Sequence, residues 1–462
     1  MSPAARLVCA LGSAVSIAAL LLALATSPAL AATNRVKDIN PGSRSSTPSD
    51  ITRLGRTVLF AAQVGSDGPE LWKSDGSRSG TRRVKDIKRG NKGSNPRDLI
   101  NVRGTMYFAA QARARDRELW KSDGTRAGTV RVRDINRGRE GSRPQGFTKV
   151  GRRLFFWADR GPGSKVLWKT NGTARGTKQV KAVRLGGGAA GRSEASSFDG
   201  DLLFAGAHRK RGRELWRSDG TAAGTKRVAD IYPGEGSSSP SGLVDAGGTL
   251  FFSARDGSHG RELWRSDGTA AGTHLVKDIR PGDRTSSPHG FAIVGGTLYF
   301  VADDGSSGDE LWRSDGTAAG TELVADINPG RRASEPRGLT NVGGTLFFAA
   351  NDGLVGHELW RSEGTTAGTE LVRDISPGPN SSSQFLPAEL TPFDGSFFFG
   401  ADDGATGDEL WRSDGTSAGT ELVRDINPDG HSHVSEITRA RGGLFFEAFD
   451  ESKGAELWRW TP

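Results

Sequence analysis

Nine Leu-Trp dipeptides divide this chain at nearly equal intervals. Their tryptophans are Trp72, Trp120, Trp168, Trp216, Trp264, Trp312, Trp360, Trp411 and Trp458, spaced 48 residues six times, then 51, then 47. A period of 40 to 50 residues marks a repeat architecture, and it has room for four short strands. Around Trp360 the expected strands are "GLTNV" (338–342), "TLFFAA" (345–350), "HELWRS" (357–362) and "TELVRDI" (369–375), with glycine-rich turns between them. In "LFFAA" both alternating faces are apolar, so both must be covered. A sheet with one solvated face would alternate cleanly. Short antiparallel sheets stacked on their neighbours meet this demand.

The last repeat stops at "AELWRWTP", and its missing fourth strand occurs near the start as "NRVKDINPG" (34–42). A linear stack ends in caps and has no reason to split a repeat between its ends. A ring does, because a split sheet locks the circle. The expectation is an all-β chain, a β-propeller of about nine four-stranded blades. Strand 34–39 pairs with 455–460 and completes the last blade. Two smaller rings are the structural rival, but they would need two closure sites and a linker.

Composition agrees, with 65 glycines and 20 prolines and no three-residue glycine period. Residues 1–31 read as a signal peptide: Arg6, the apolar run containing "LLLALA", and the small-x-small Ala29-Leu30-Ala31. Residues 32–462 then form one propeller domain, secreted, extracellular or at the cell surface, with no membrane span after cleavage. The single cysteine, Cys9, leaves with the leader, so packing alone must hold the fold.

"ELWRSDGT" recurs at 214–221, 262–269, 310–317 and 409–416, and "ELWKSDGT" at 118–125. The chain thereby resembles the bacterial repeat family named for the consensus Glu-Leu-Trp-x-x-Asp-Gly-Thr. The resemblance covers essentially all of 32–462 and implies an exported or surface-associated protein, with no particular activity attached. The third unit departs from it, reading "VLWKTNGT" (166–173) and "KAVRLGGGAAG" (181–191).

The motif reads as architecture. Asp-Gly suits a tight turn, and one tryptophan per unit suits packing between sheets better than ligand stacking. Glutamate precedes Leu-Trp in eight of nine units, Val166 being the exception, and Lys or Arg follows in all nine. Cross-strand charge pairs are the expected explanation. The loops 302–310 and 401–409 gather Asp303, Asp304, Asp309, Asp402, Asp403 and Asp408, which are calcium candidates or else solvated acidic turns. "HSH" (431–433) offers two imidazoles but no third metal ligand. No nucleophile elbow, phosphate loop or metalloprotease spacing occurs.

Charge is the least generic feature. Residues 82–215 hold 33 Lys or Arg against 12 Asp or Glu, and residues 216–462 hold 21 against 37, within a net charge of +8. In a ring, sequence segments become sectors, so one arc is basic and the other acidic. The polyanion-binding candidates are Arg113, Arg115, Arg117, Arg209, Lys210, Arg211 and Arg213. Partners of matching chemistry are anionic polysaccharide, teichoic-type cell-wall polymer and extracellular DNA. Sequence-specific nucleic-acid binding is disfavoured, since no base-stacking aromatics accompany the basic residues. Opposite arcs also permit self-association. The bland alternative is drift of surface residues between repeats.

Two functions follow. One is a non-catalytic binding or scaffold protein without a cofactor. The alternative is an enzyme acting on extracellular polysaccharide through acidic residues at the channel mouth. An enzyme should break the repeat symmetry, and the irregular places are the third unit, the insertion 379–393 and "HSH".

Overall fold

The computed structural model describes residues 31–138, 140–161, 165–185, 194–208, 211–382 and 390–462. The expected leader, Arg209, Lys210 and part of the insertion 379–393 lie outside them, and Arg211 is described in backbone only. Every element among these residues is a β-strand. They form seven four-stranded sheets and one eight-stranded sheet. No helix among the described residues is long and apolar enough to cross a membrane.

The seventh unit represents the regular ones. Its strands are Arg337–Val342, Thr345–Asn351, His357–Ser362 and Thr369–Arg373, hydrogen-bonded in chain order. Leu346 through Ala350 are all buried, and their alternation sorts them between two neighbours. Leu346, Phe348, Ala350 and Trp360 pack with Tyr299, Leu311 and Val324 of the preceding unit. Phe347 and Leu359 pack with Phe397, Phe399 and Trp411 of the following one. Each buried phenylalanine contributes about 2 to 3 kcal/mol, so a sheet without neighbours would lose most of its stability. The tryptophans pack between units.

The third-to-fourth turns are held locally. Asp315 Oδ1 accepts hydrogen bonds from the Thr317 backbone N–H and hydroxyl, both at 2.8 Å. Gly316 between them sits at φ +91°, which glycine reaches without steric cost. The Ser314 and Thr321 hydroxyls close the loop at 2.7 Å.

The glutamate before Leu-Trp does not form the expected charge pair. Glu310 is fully buried and takes the Ile327 N–H at 3.0 Å, the Ser334 N–H at 2.8 Å and the Ser334 hydroxyl. Glu70, Glu118, Glu214, Glu262, Glu358, Glu409 and Glu456 hold the equivalent isoleucine N–H. Each carboxylate thus ties the end of the outer strand to its own sheet. A guanidinium there would have to be buried as well, and amides satisfy the oxygens without that penalty. Cross-strand ion pairs do occur, three residues later, where Arg313, Arg361 and Arg412 meet Glu322, Glu370 and Glu421.

Two places depart from the regular plan. In the third unit Val166 cannot hold the strand end. The outer strand Lys178–Leu185 runs on and pairs with Asp201–His208 of the fourth unit, Arg184 opposite Ala207, which merges two sheets into the eight-stranded one. In the ninth unit the sheet order is Ala32–Lys37, Gly454–Thr461, Gly443–Asp450, Ser435–Ala440, with Arg35 opposite Trp458. Thr438 of that sheet donates its hydroxyl to the Ile51 carbonyl of the first unit at 2.7 Å. Ala440, Phe445 and Leu457 share one apolar cluster with Ile51, Phe60 and Trp72.

Candidate functional site

Chain-order antiparallel sheets have two ends. The first-to-second and third-to-fourth turns lie at one end, and the second-to-third hairpins lie at the other. The acidic loops, and Arg113, Arg115, Arg117, Arg211 and Arg213 of the basic residues singled out from the sequence, belong to the hairpin end.

At that end the basic candidates part company. Arg113 and Arg115 are exposed. Arg117 is half-buried and donates to the Asn95 carbonyl at 2.7 Å, and burial with Arg97 nearby pulls its pKa down. Arg213 is ion-paired with Glu194 at 2.9 Å. The acidic hairpins mostly cap themselves. Asp304 Oδ1 takes the Ser306 and Ser307 N–H groups, Asp403 Oδ1 takes those of Ala405 and Thr406, Asp402 takes Gly404 N–H, and Asp303 pairs with Arg280. Burial pushes Asp309 up.

Among the described residues, the three carboxylates whose oxygens all lie within 4.8 Å of one another are Asp116, Glu118 and Asp134, none of them in those loops. Arg131 reaches Asp116 at 3.5 Å and Asp134 at 3.4 Å, while Glu118 is engaged by Ile135 and Ser142. A guanidinium already serves as the counter-cation there.

A cleft of about 670 Å³ brings together the start of the insertion (Asn380, Ser381, Ser382), Asp402, Asp408 and the two histidines. His431 Nδ1 accepts the Asp408 N–H at 2.9 Å, and the His431 and His433 rings stack 5.5 Å apart. Burial raises the Asp408 carboxyl to about 6, with His431 opposing and Asp402 reinforcing the shift. Two of the three irregular sequence features thus share one site.

The turn end carries what sequence reading overlooked. In the first eight units the basic residue after the tryptophan faces the residue nine positions on, and in the ninth Arg459 faces Asn34. In units six to eight the pairs are Arg313–Glu322, Arg361–Glu370 and Arg412–Glu421. In units one, three and four they are Lys73–Arg82, Lys169–Lys178 and Arg217–Lys226. Like charges directly opposite in a ladder destabilise it, whereas unlike charges support it. Two basic clefts accompany the reversal. One of about 530 Å³ is lined by Lys73, Arg82, Arg83, Lys85 and Arg126 with Asp86 beside Arg83, and one of about 350 Å³ by Arg153, Lys169, Arg175 and Lys178. The nine-residue spacing was visible in the sequence, but only the strand register says that these residues meet.

No family model matches the chain. No curated protein matches it either. Among solved structures it is similar to a prolyl endopeptidase (TM-score 0.42, 13% identity, 71% of this chain and 49% of that one). It is also similar to a puromycin hydrolase S511A mutant complexed with PGG (TM-score 0.42, 14% identity, 88% and 58%). A third is the β-propeller domain of the Trilobed protease from Pyrococcus furiosus, of open velcro topology (TM-score 0.38, 12% identity, 71% and 98%). The chain spans about half to three-fifths of the first two. At these values the likeness carries nothing about function.

Chemically, the basic clefts of units one and three can hold negatively charged groups, whereas in unit four Asp201 already meets Arg217 at 2.6 Å. The cleft at Asp408 can hold or release a proton near pH 6.

Proposed function

We propose that the chain is an exported ELWxxDGT-type repeat protein, folded as a closed nine-bladed β-propeller, that binds anionic extracellular polymers through the basic arc of its first four units. It acts in this reading as a non-catalytic binding or scaffold protein. The contacts of Ser435–Ala440 with the first unit support closure. The observation that carries the binding reading is the sign reversal at one repeated position. Lys169 opposite Lys178 replaces the ion pair that Arg313 makes with Glu322.

The test is binding of the purified chain to a teichoic-type polymer, an acidic polysaccharide, DNA and a neutral glycan across ionic strengths. Affinity for the anionic polymers should fall steeply with salt, as counterions compete. Salt-insensitive binding, or binding of the neutral glycan alone, defeats the reading.

A second reading, an enzyme acting on extracellular polysaccharide, is favoured by one observation. Asp408 is a buried carboxyl held near 6 in a cleft with Asp402 and two histidines, as a general acid needs. Glycan cleavage that disappears in Asp408→Asn would establish it. A panel of polysaccharides left uncut would dismiss it.

A further inference from the structure

The repeats are an internal control, because the same backbone position can be compared across units. Take the 350 Å³ cleft of the third unit. Arg153 opens the second strand where units one, two, five, six and seven have Thr57, Thr105, Thr249, Thr297 and Thr345. Asn171 stands where the other complete units carry Asp or Glu, and Arg175 where they carry Ala or Ser. Lys178 stands where units six to eight carry glutamate. Relative to the sixth unit, these four changes raise the local charge by five. Undirected surface drift has no reason to push all four the same way around one cleft.

Their geometry fits a bound anion. Asn171 Oδ1 still caps the turn, accepting the Thr173 N–H at 3.1 Å and its hydroxyl at 2.9 Å, as Asp315 does for Thr317. The exchange therefore keeps the turn and converts the other head-group atom from a charged acceptor into an N–H donor. Lys73 and Lys121 donate to the Gly124 and Gly172 carbonyls of the next unit at 2.7 and 2.8 Å. Lys169 has no such bond among the described residues, and Arg153 instead donates to the Asp219 carbonyl at 2.5 Å. Burial, then Arg153 and Lys178, pull the Lys169 pKa down, and the nearby Asp219 carboxylate offsets this only in part.

We infer that this cleft is a subsite for a tetrahedral oxyanion, the phosphate or sulfate ester of a polymer. It rests on the polyanion-binding reading above and names the group recognised. An oxyanion with several free oxygens meets Lys169, Lys178, Arg153 and the Asn171 amide at once. It also relieves the like-charge opposition of Lys169 and Lys178. A carboxylate offers two coplanar oxygens, so its lone pairs reach fewer directions than those of a tetrahedral oxyanion.

The test titrates the purified chain with inorganic phosphate, sulfate and acetate by calorimetry, beside Lys178→Glu and Asn171→Asp. Lys178→Glu rebuilds the ion pair of units six to eight, so it should fold with an unchanged or higher melting temperature. Phosphate and sulfate should bind the parent, acetate should not, and both variants should lose about tenfold in affinity or more. The tighter of phosphate and sulfate identifies the ester. Equal phosphate affinity in parent and Lys178→Glu overturns the subsite, even if the parent still binds polymers in a salt-dependent way. Phosphate affinity lost in the variants, with no polymer bound by the parent, keeps the subsite and removes the broader reading.

Discussion

Glu456 accepts the backbone N–H of Ile39 at 2.9 Å, across 417 residues of sequence. The same carboxylate takes the Asn40 N–H at 3.1 Å and the Ser46 hydroxyl at 2.8 Å. Glu70 makes the same set of bonds to Ile87, Lys88 and Ser94 of its own continuous repeat. The final unit thus uses the ordinary clasp of the repeat, with its two halves drawn from opposite ends of the chain.

Glu456→Ala should destabilise the protein by about 3 kcal/mol, because it strands buried N–H donors and leaves a void. Glu358→Ala should cost a similar amount, since Glu358 likewise holds two buried backbone N–H groups, those of Ile375 and Ser382. The two should differ in hydrogen exchange. Only Glu456→Ala should loosen both Ala32–Lys37 and Gly454–Thr461. Urea unfolding with exchange mass spectrometry would check this, and an unperturbed N-terminal strand would refute the clasp.

Stability should depend on pH in a definite direction. Burial pushes Glu310, Glu358, Glu409 and Glu456 up from 4.5 to about 7, against hydrogen bonds that pull the other way. Between those values the folded chain keeps protons that the unfolded chain has released. Their contribution is full below 4.5 and is lost as pH rises through about 7. Asp267 and Asp414 run oppositely, held below 3.8 by the hydroxyl and N–H of the threonine two residues on, so their contribution fails as pH falls. The melting temperature should peak on the acid side of neutrality and decline from about pH 5 to 8. A rise over that range in a thermal scan would contradict it.

Val166→Glu would restore the repeat consensus yet should destabilise the chain by about 3 kcal/mol or more. Val166 is buried, and the strand that follows has left the clasp geometry to pair with the fourth unit. The new carboxylate would meet no equivalent donor set among the described residues. Denaturant midpoints would decide, and a stabilised variant would mean the third unit can revert to the regular plan.

Glu322→Lys should convert the sixth unit partway toward the third. Its partner Arg313 is partly exposed, so the fold should lose less than about 1 kcal/mol. Binding of an anionic polymer should strengthen, with a steeper salt dependence. Unchanged binding would show that charge alone at this position does not recruit ligand.

Much of the fold was legible because it is written locally. Apolar runs and glycine-rich turns marked the strands of the seventh unit to within two residues at each end. Double-sided burial of "LFFAA" followed from having apolar residues on both faces. The role of the glutamate was not legible, since a Glu-Leu-Trp-Arg string looks like a source of surface ion pairs. Its true partners, an isoleucine N–H 17 residues on and a serine 24 residues on, meet it only once the outer strand has folded back. The binding candidates were sought in the variable hairpins for the same reason.

The sequence alone determined the period, the strand and turn positions, the split final repeat and the opposed charges of the two halves, because each is a property of order along the chain. Only the tertiary structure decided which groups meet. Antiparallel register sets Lys169 against Lys178, and the folded-back loops bring His431 to Asp408 and Ile39 to Glu456. Hydrogen bonds and Coulomb forces act over a few ångströms of space, and distance along the chain does not report that distance.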